Sequence, residues 1–145
     1  MIFAALQRRY TAKRRRGVAA VEFALVAPVM ILLVFGMMDV GRALMVQHLL
    51  TNAARDGARA ATLDGSTADD VESQVAQYLA DSSVRGATVT VAPNPLDSAG
   101  SGDPVTVTAR VSFDSVSWLP SSWYLGGATL QAAVVMRRET ESASP

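Results

Sequence analysis

Residues 18–38 read VAAVEFALVAPVMILLVFGMM, and this stretch decides the architecture. It holds 21 residues, and Glu22 is its only charge. At about 1.5 Å per residue a helix of that length spans about 31 Å, close to the roughly 30 Å hydrocarbon core of a bilayer. Lys13, Arg14, Arg15 and Arg16 abut one end, while Asp39 and Arg42 mark the other. Positive charge is retained on the cytoplasmic side, so the expected topology is N-terminus in and C-terminus out, with a single pass. A cleaved secretory signal also pairs a basic region with an apolar run. This run is longer than such a region, holds a carboxylate, and ends without a small-x-small site: Gly41-Arg42-Ala43 places arginine in the middle.

Outward from this segment the charge is asymmetric. The 13 basic and 13 acidic residues cancel, yet six basic residues and no acid lie in the first 16 positions. The remainder carries seven basic residues against all 13 acids. A basic head at an anionic surface and an acidic body elsewhere is the expected division. The acidic body offers no broad footprint for nucleic acid. With no cysteine, disulfides, zinc-thiolate sites and thiol nucleophiles are excluded.

Gly17 separates the arginines from the apolar run, with Glu22 five residues later and Phe23 next to it. A carboxylate in an apolar helix costs about 2.5–3.5 kcal/mol at mid-membrane and less near the interface, so Glu22 is a functional candidate. The plainer alternatives are a glutamate snorkelling to water or one paired with Arg16. Gly17, taken alone, would be read as a helix-start glycine. Pro28 removes a backbone hydrogen bond and clashes with the carbonyl of Ala24, so a kink or loosening is expected there.

The residues 17–28, GVAAVEFALVAP, resemble the opening of TadE-like proteins, and residues 53–61, AARDGARAA, resemble a second signature of that family. The likeness covers residues 14–63. It implies a type IV prepilin: a basic leader, residues 1–17, removed by a membrane prepilin peptidase between Gly17 and Val18. In such proteins Glu22 pairs with the new α-amino group of Val18 on a neighbouring subunit, and Phe23 belongs to the same processing and assembly motif. The resemblance implies a minor pilin or pseudopilin, of the short TadE or TadF kind without a von Willebrand-type domain. Its place is the bacterial inner membrane, and it takes part in the tight-adherence apparatus that assembles Flp pili for attachment and biofilm. The implied partners are the peptidase, other pilins or pseudopilins and the assembly machinery. The alternative is an uncleaved, single-span membrane-anchored interaction module.

Beyond the membrane segment, residues 39–63 continue the helix. Val46, Leu49, Leu50, Ala53, Ala54, Gly57, Ala58 and Ala61 recur at helical spacing, with Arg42, His48, Asn52, Arg55, Asp56 and Arg59 mostly opposite. Ala53, Gly57 and Ala61 form a ridge of small residues for close helix packing, either between subunits or against this chain's own domain. Leu63-Asp64-Gly65 reads as a helix stop with Gly65 as a left-handed cap. The expected helix, residues 18–63, is about 69 Å long.

Residues 64–138 are expected to form a small α+β domain, followed by a flexible tail over 139–145. Thr67 caps a second, shorter helix with Val71, Val75, Tyr78 and Leu79 as its apolar stripe. The period then changes to two: strands over 88–91, 105–113 and 127–138, joined without intervening helices, predict a three-stranded antiparallel sheet. Residues 93–104 read as a loop. Trp118, Trp123 and Tyr124 flank Pro120, as core anchors or as an interaction patch.

No enzyme is legible. His48 is the only histidine, on the polar face of its helix, and no phosphate loop or dinucleotide pattern is present. Asp64, Asp69, Asp70 and Glu72 do not match a calcium loop, and helix-start electrostatics accounts for them. No cofactor, metal or small-molecule substrate is expected.

Overall fold

A computed structural model describes residues 2–63, 65–118 and 126–138, with side chains from Gly17 onward. The arginine-rich side chains of the head, Asp64, Pro120, Trp123, Tyr124 and the tail 139–145 lie outside the described residues. The chain divides into two compact units, Met1–Met38 and Asp39–Pro145.

The first unit is helix, the opening part of α1 (Ile2–Ala61), and Pro28 lies within it. Nearly every residue of 17–38 is exposed, including Phe23, Leu25 and Met37 at 73%, 72% and 67%. Among the described residues this is the one helix long and apolar enough to cross a membrane, with a mean hydropathy of 2.6 in its best window.

The second unit is α+β: the remainder of α1, a helix α2 (Ala68–Asp81), and strands β1 (Thr88–Ala92), β2 (Pro104–Ser112) and β3 (Thr129–Arg137) in the order β1-β2-β3. Both pairings are antiparallel: Thr90 faces Thr108, which faces Ala133. The period-two pattern fixes which side of the sheet is covered. Val89 and Val91, then Val105, Val107, Ala109 and Val111, then Ala132 point into the core, with Leu130, Val134 and Met136 half-buried beside them. Thr88, Thr90, Arg110, Thr129 and Val135 point the other way and are exposed. The core is completed by Val46, Leu50, Ala53, Ala54, Ala58 and Ala61 of α1 and by Val71, Val75 and Leu79 of α2.

Local chemistry explains the boundaries. Thr67 caps α2, its hydroxyl accepting from the Asp70 amide at 3.2 Å, and Asp69 and Asp70 sit at the positive helix start. Tyr78, expected in the apolar stripe of α2, is 42% exposed at its edge. α1 ends at Ala61, before the expected stop. Its last carbonyls are met by side chains: Thr62 Oγ1 donates to Arg59 O at 2.7 Å and Ser66 Oγ to Ala60 O at 2.9 Å. Gly65 does take a left-handed conformation, φ 82°, but in the turn beyond these caps. Phe113, expected as the end of β2, instead opens a 3-10 turn over Phe113–Ser115 and is still fully buried. The long loop before β2 also buries Leu96 and Ala99, and Arg138 binds both of their carbonyls, at 2.9 and 3.1 Å.

Candidate functional site

The residues singled out by sequence fall into three groups along α1. The first is Gly17, Val18, Glu22 and Phe23. All four are exposed on the helix, Val18 at 62%. A β-carbon placed on Gly17 would meet nothing within 4 Å. Among the described residues Glu22 has no hydrogen-bond or ion-pair partner; the side chain of Arg16, its alternative partner, lies outside the described residues. Gly17 is helical here. A protease that reads it in extended form must unwind the helix locally, and glycine is the residue for which helix is held most weakly apart from proline.

Pro28 forms the second group. It sits six residues beyond Glu22, inside α1, where it leaves the Ala24 carbonyl without its usual amide partner.

The third group is the small-residue ridge, and the structure gives it a definite surrounding. Ala53 and Ala61 are 2% and 1% exposed, and Gly57 is buried. A β-carbon at Gly57 would stand 2.5 Å from Val75 Cγ2 and 3.3 Å from Val107 Cγ1. The ridge thus lets α1 approach α2 and β2 of its own domain, the second of the two packings open from sequence. Ala53 and Gly57 also line a shallow cavity of about 120 Å³ with Asp56, Gln74, Val75 and Tyr78.

A further cluster was not legible beforehand. Arg42 was expected on the polar side of the helix, yet it is only 8% exposed. Its guanidinium donates to the carbonyls of Val116 (3.1 Å) and Ser83 (3.3 Å) and reaches Met45 Sδ at 3.6 Å. It also lies under Trp118, 5.3 Å from the ring centroid. One turn earlier, Asp39 is 2% exposed and accepts from Ser117 Oγ at 3.0 Å. Its other oxygen, Oδ2, has no partner among the described residues. Trp118 itself is 68% exposed, so it is not a core anchor. A lone arginine after an apolar run carries no sequence signal that distant carbonyls will bury it; only the path of residues 113–118 decides that. Glu72 is similar: its Oε1 accepts from the Val91 amide at 2.9 Å and so occupies the outer edge of β1.

His48 is exposed, and Asp69, Asp70 and Glu72 are accounted for by the helix start and the strand edge. Among the described residues no three acids or histidines stand together as metal ligands.

With this geometry in place, comparison with known proteins gives one likeness. The family model described as TadE-like protein matches residues 17–59. The match opens at Gly17 and runs through the apolar stretch and most of the ridge. Neither the curated proteins nor the solved structures contain a match to this chain. The TadE-like family is of the pilin type, structural in kind, and at family level it points to a minor pilin associated with a Tad pilus.

Proposed function

Residues 17–59 being TadE-like, we propose that this chain is a minor pilin or pseudopilin of a tight-adherence (Flp) type IV pilus system. It is anchored by residues 18–38 in the bacterial inner membrane, cut by prepilin peptidase between Gly17 and Val18, and then used in assembling a pilus for surface attachment. One observation carries the reading: the family match begins at Gly17, where the basic head meets an apolar helix whose single charge is Glu22.

The chemistry of each residue supports its role. Gly17 offers open space on an exposed backbone. Cutting after it creates an ammonium on Val18. Glu22, exposed and without a partner among the described residues, suits that ammonium on a neighbouring subunit. Two opposite charges buried together offset part of the desolvation that each would suffer alone. Phe23 and the large apolar residues that follow present the surface on which neighbouring helices pack. Pro28 supplies a freed carbonyl at which the helix can bend.

The test is N-terminal sequencing and mass measurement on protein from cells with and without prepilin peptidase. Wild type should begin at Val18 only where the peptidase is active. Gly17→Val should keep its leader and stay in the membrane. Glu22→Ala should be cut normally and inserted at normal level but fail to enter assemblies, because the partner of the carboxylate forms only after cutting. Wild-type protein that keeps its leader beside an active peptidase overturns the proposal and leaves the uncleaved anchor in its place.

A further inference from the structure

The Arg42–Trp118 cluster is not used by processing or by the Glu22 pairing. Trp118 lies 68% exposed, a large apolar surface for water to cover. Its position is nevertheless set: the ring lies over a guanidinium that is itself held by the carbonyls of Val116 and Ser83. On the same stretch of α1, Val40, Leu44 and Met45 are 50%, 58% and 52% exposed. Three exposed apolar side chains therefore occur within the first two turns of α1 after Met38, and Met45 among them meets the buried cation.

Distance along the helix indicates what covers them. Arg42 is four residues past Met38, or about 6 Å of helix rise. The polar headgroup layer on each side of a bilayer's hydrocarbon core is about 5–8 Å thick. If residues 18–38 fill the hydrocarbon, Arg42 and the indole resting on it fall in that layer. An indole suits such a place, since its ring is apolar and its N–H finds hydrogen-bond acceptors among headgroups.

We propose that Trp118, seated on Arg42, is an anchor in the phospholipid headgroup layer. The anchor rests on the reading of residues 18–38 as a membrane span, and it adds a second attachment that the family signature does not include.

The experiment uses the full chain in vesicles of phosphatidylcholine and phosphatidylglycerol. The chain has two tryptophans and no cysteine. Trp123→Phe leaves Trp118 as the only emitter, and Leu33→Cys carrying an environment-sensitive dye reports on the apolar run separately. Lipid-borne quenchers are placed either at the headgroup or at the bilayer centre. Trp118 should emit at shorter wavelength than free indole and lose most of its emission to the headgroup quencher and little to the central one. The dye at position 33 should respond to the central quencher. In the Arg42→Met variant the Trp118 response should move or broaden in depth while the dye at 33 is unchanged. If the dye is quenched and Trp118 is untouched by every lipid quencher, the anchor is wrong and the span stands; this is also the result if a neighbouring subunit covers the indole. If Trp118 is quenched mainly from the bilayer centre, the anchor is likewise wrong. If neither probe is quenched, the span itself fails and the anchor with it.

Discussion

Two stretches of one helix, residues 18–38 and 39–61 of α1, meet opposite surroundings. In the first, Phe23, Leu25 and Ile31 are exposed at 73%, 72% and 54%. In the second, Val46 and Leu50 are fully buried, although they are no more apolar. The difference lies in arrangement. The first stretch is apolar all round, so no single face can satisfy it, and an apolar surrounding from outside the domain is required. From Val46 onward the second stretch carries Val46, Leu50, Ala53, Ala54, Ala58 and Ala61 on one side, where a sheet and a second helix within the same unit cover them. One helix therefore meets two surroundings, apolar all round in its first stretch and apolar on one covered side from Val46 onward.

That contrast is most sharply testable at Leu50, which is fully buried in the second unit. Leu50→Ala should cost about 3 kcal/mol, the transfer of a leucine side chain plus the cavity it leaves. The measurement is amide exchange of β2 in the full chain in detergent micelles. Retention of wild-type protection would mean that α1 does not support the sheet.

Gly57 should show a smaller loss, because two effects oppose each other. Gly57→Ala improves helix propensity by about 1 kcal/mol. Against this, its methyl would stand 2.5 Å from a stiff valine side chain, and overpacking of that kind costs about 1–3 kcal/mol. A net destabilisation of about 1 kcal/mol is expected. Gly57→Leu should be far worse, while Asn52→Ser on the exposed side should change little. A stabilised Gly57→Ala would mean that α1 and α2 are farther apart than described. Thr67→Ala should cost about 1 kcal/mol, through loss of the bond to the Asp70 amide, and should fray only the start of α2.

These sites also show what sequence alone could supply. Leu50, Gly57 and Thr67 were legible because helical spacing, small-residue spacing and capping chemistry are local properties. The alternation of valine and threonine likewise gave β1 and β2 to within a residue, and the less cleanly alternating stretch 127–138 gave β3 to within two. The ridge at Ala53, Gly57 and Ala61 was legible as a contact, but not its partner: small residues permit approach without naming what approaches. Asp39 and Arg42 do stand where the second unit begins, but their burial was not legible, because it depends on residues 83 and 116–118, which lie more than 40 positions away. Glu72 was read only as helix-start charge, because a carboxylate that reaches across to a strand edge leaves no mark in its own neighbourhood.

The smallest effect expected in the second unit is also the one that most directly challenges the comparison. Leu33 and Leu50 are the same residue type on the same helix, but Leu33 is 48% exposed and belongs to the first unit. Leu33→Ala removes no core contact from the sheet, so amide protection in β2 should stay at the wild-type level. Its cost should appear elsewhere, as weaker membrane insertion by about 0.3–0.6 kcal/mol, the share of one leucine near the middle of a spanning helix. Insertion is measured by the fraction of chain recovered with vesicles, and protection by exchange on the same sample. An equal loss of β2 protection in Leu33→Ala and Leu50→Ala would show that both stretches support one core, and the division of α1 between two solvents would be wrong. Weaker insertion with an undisturbed sheet would establish that the two halves of the helix answer to different surroundings.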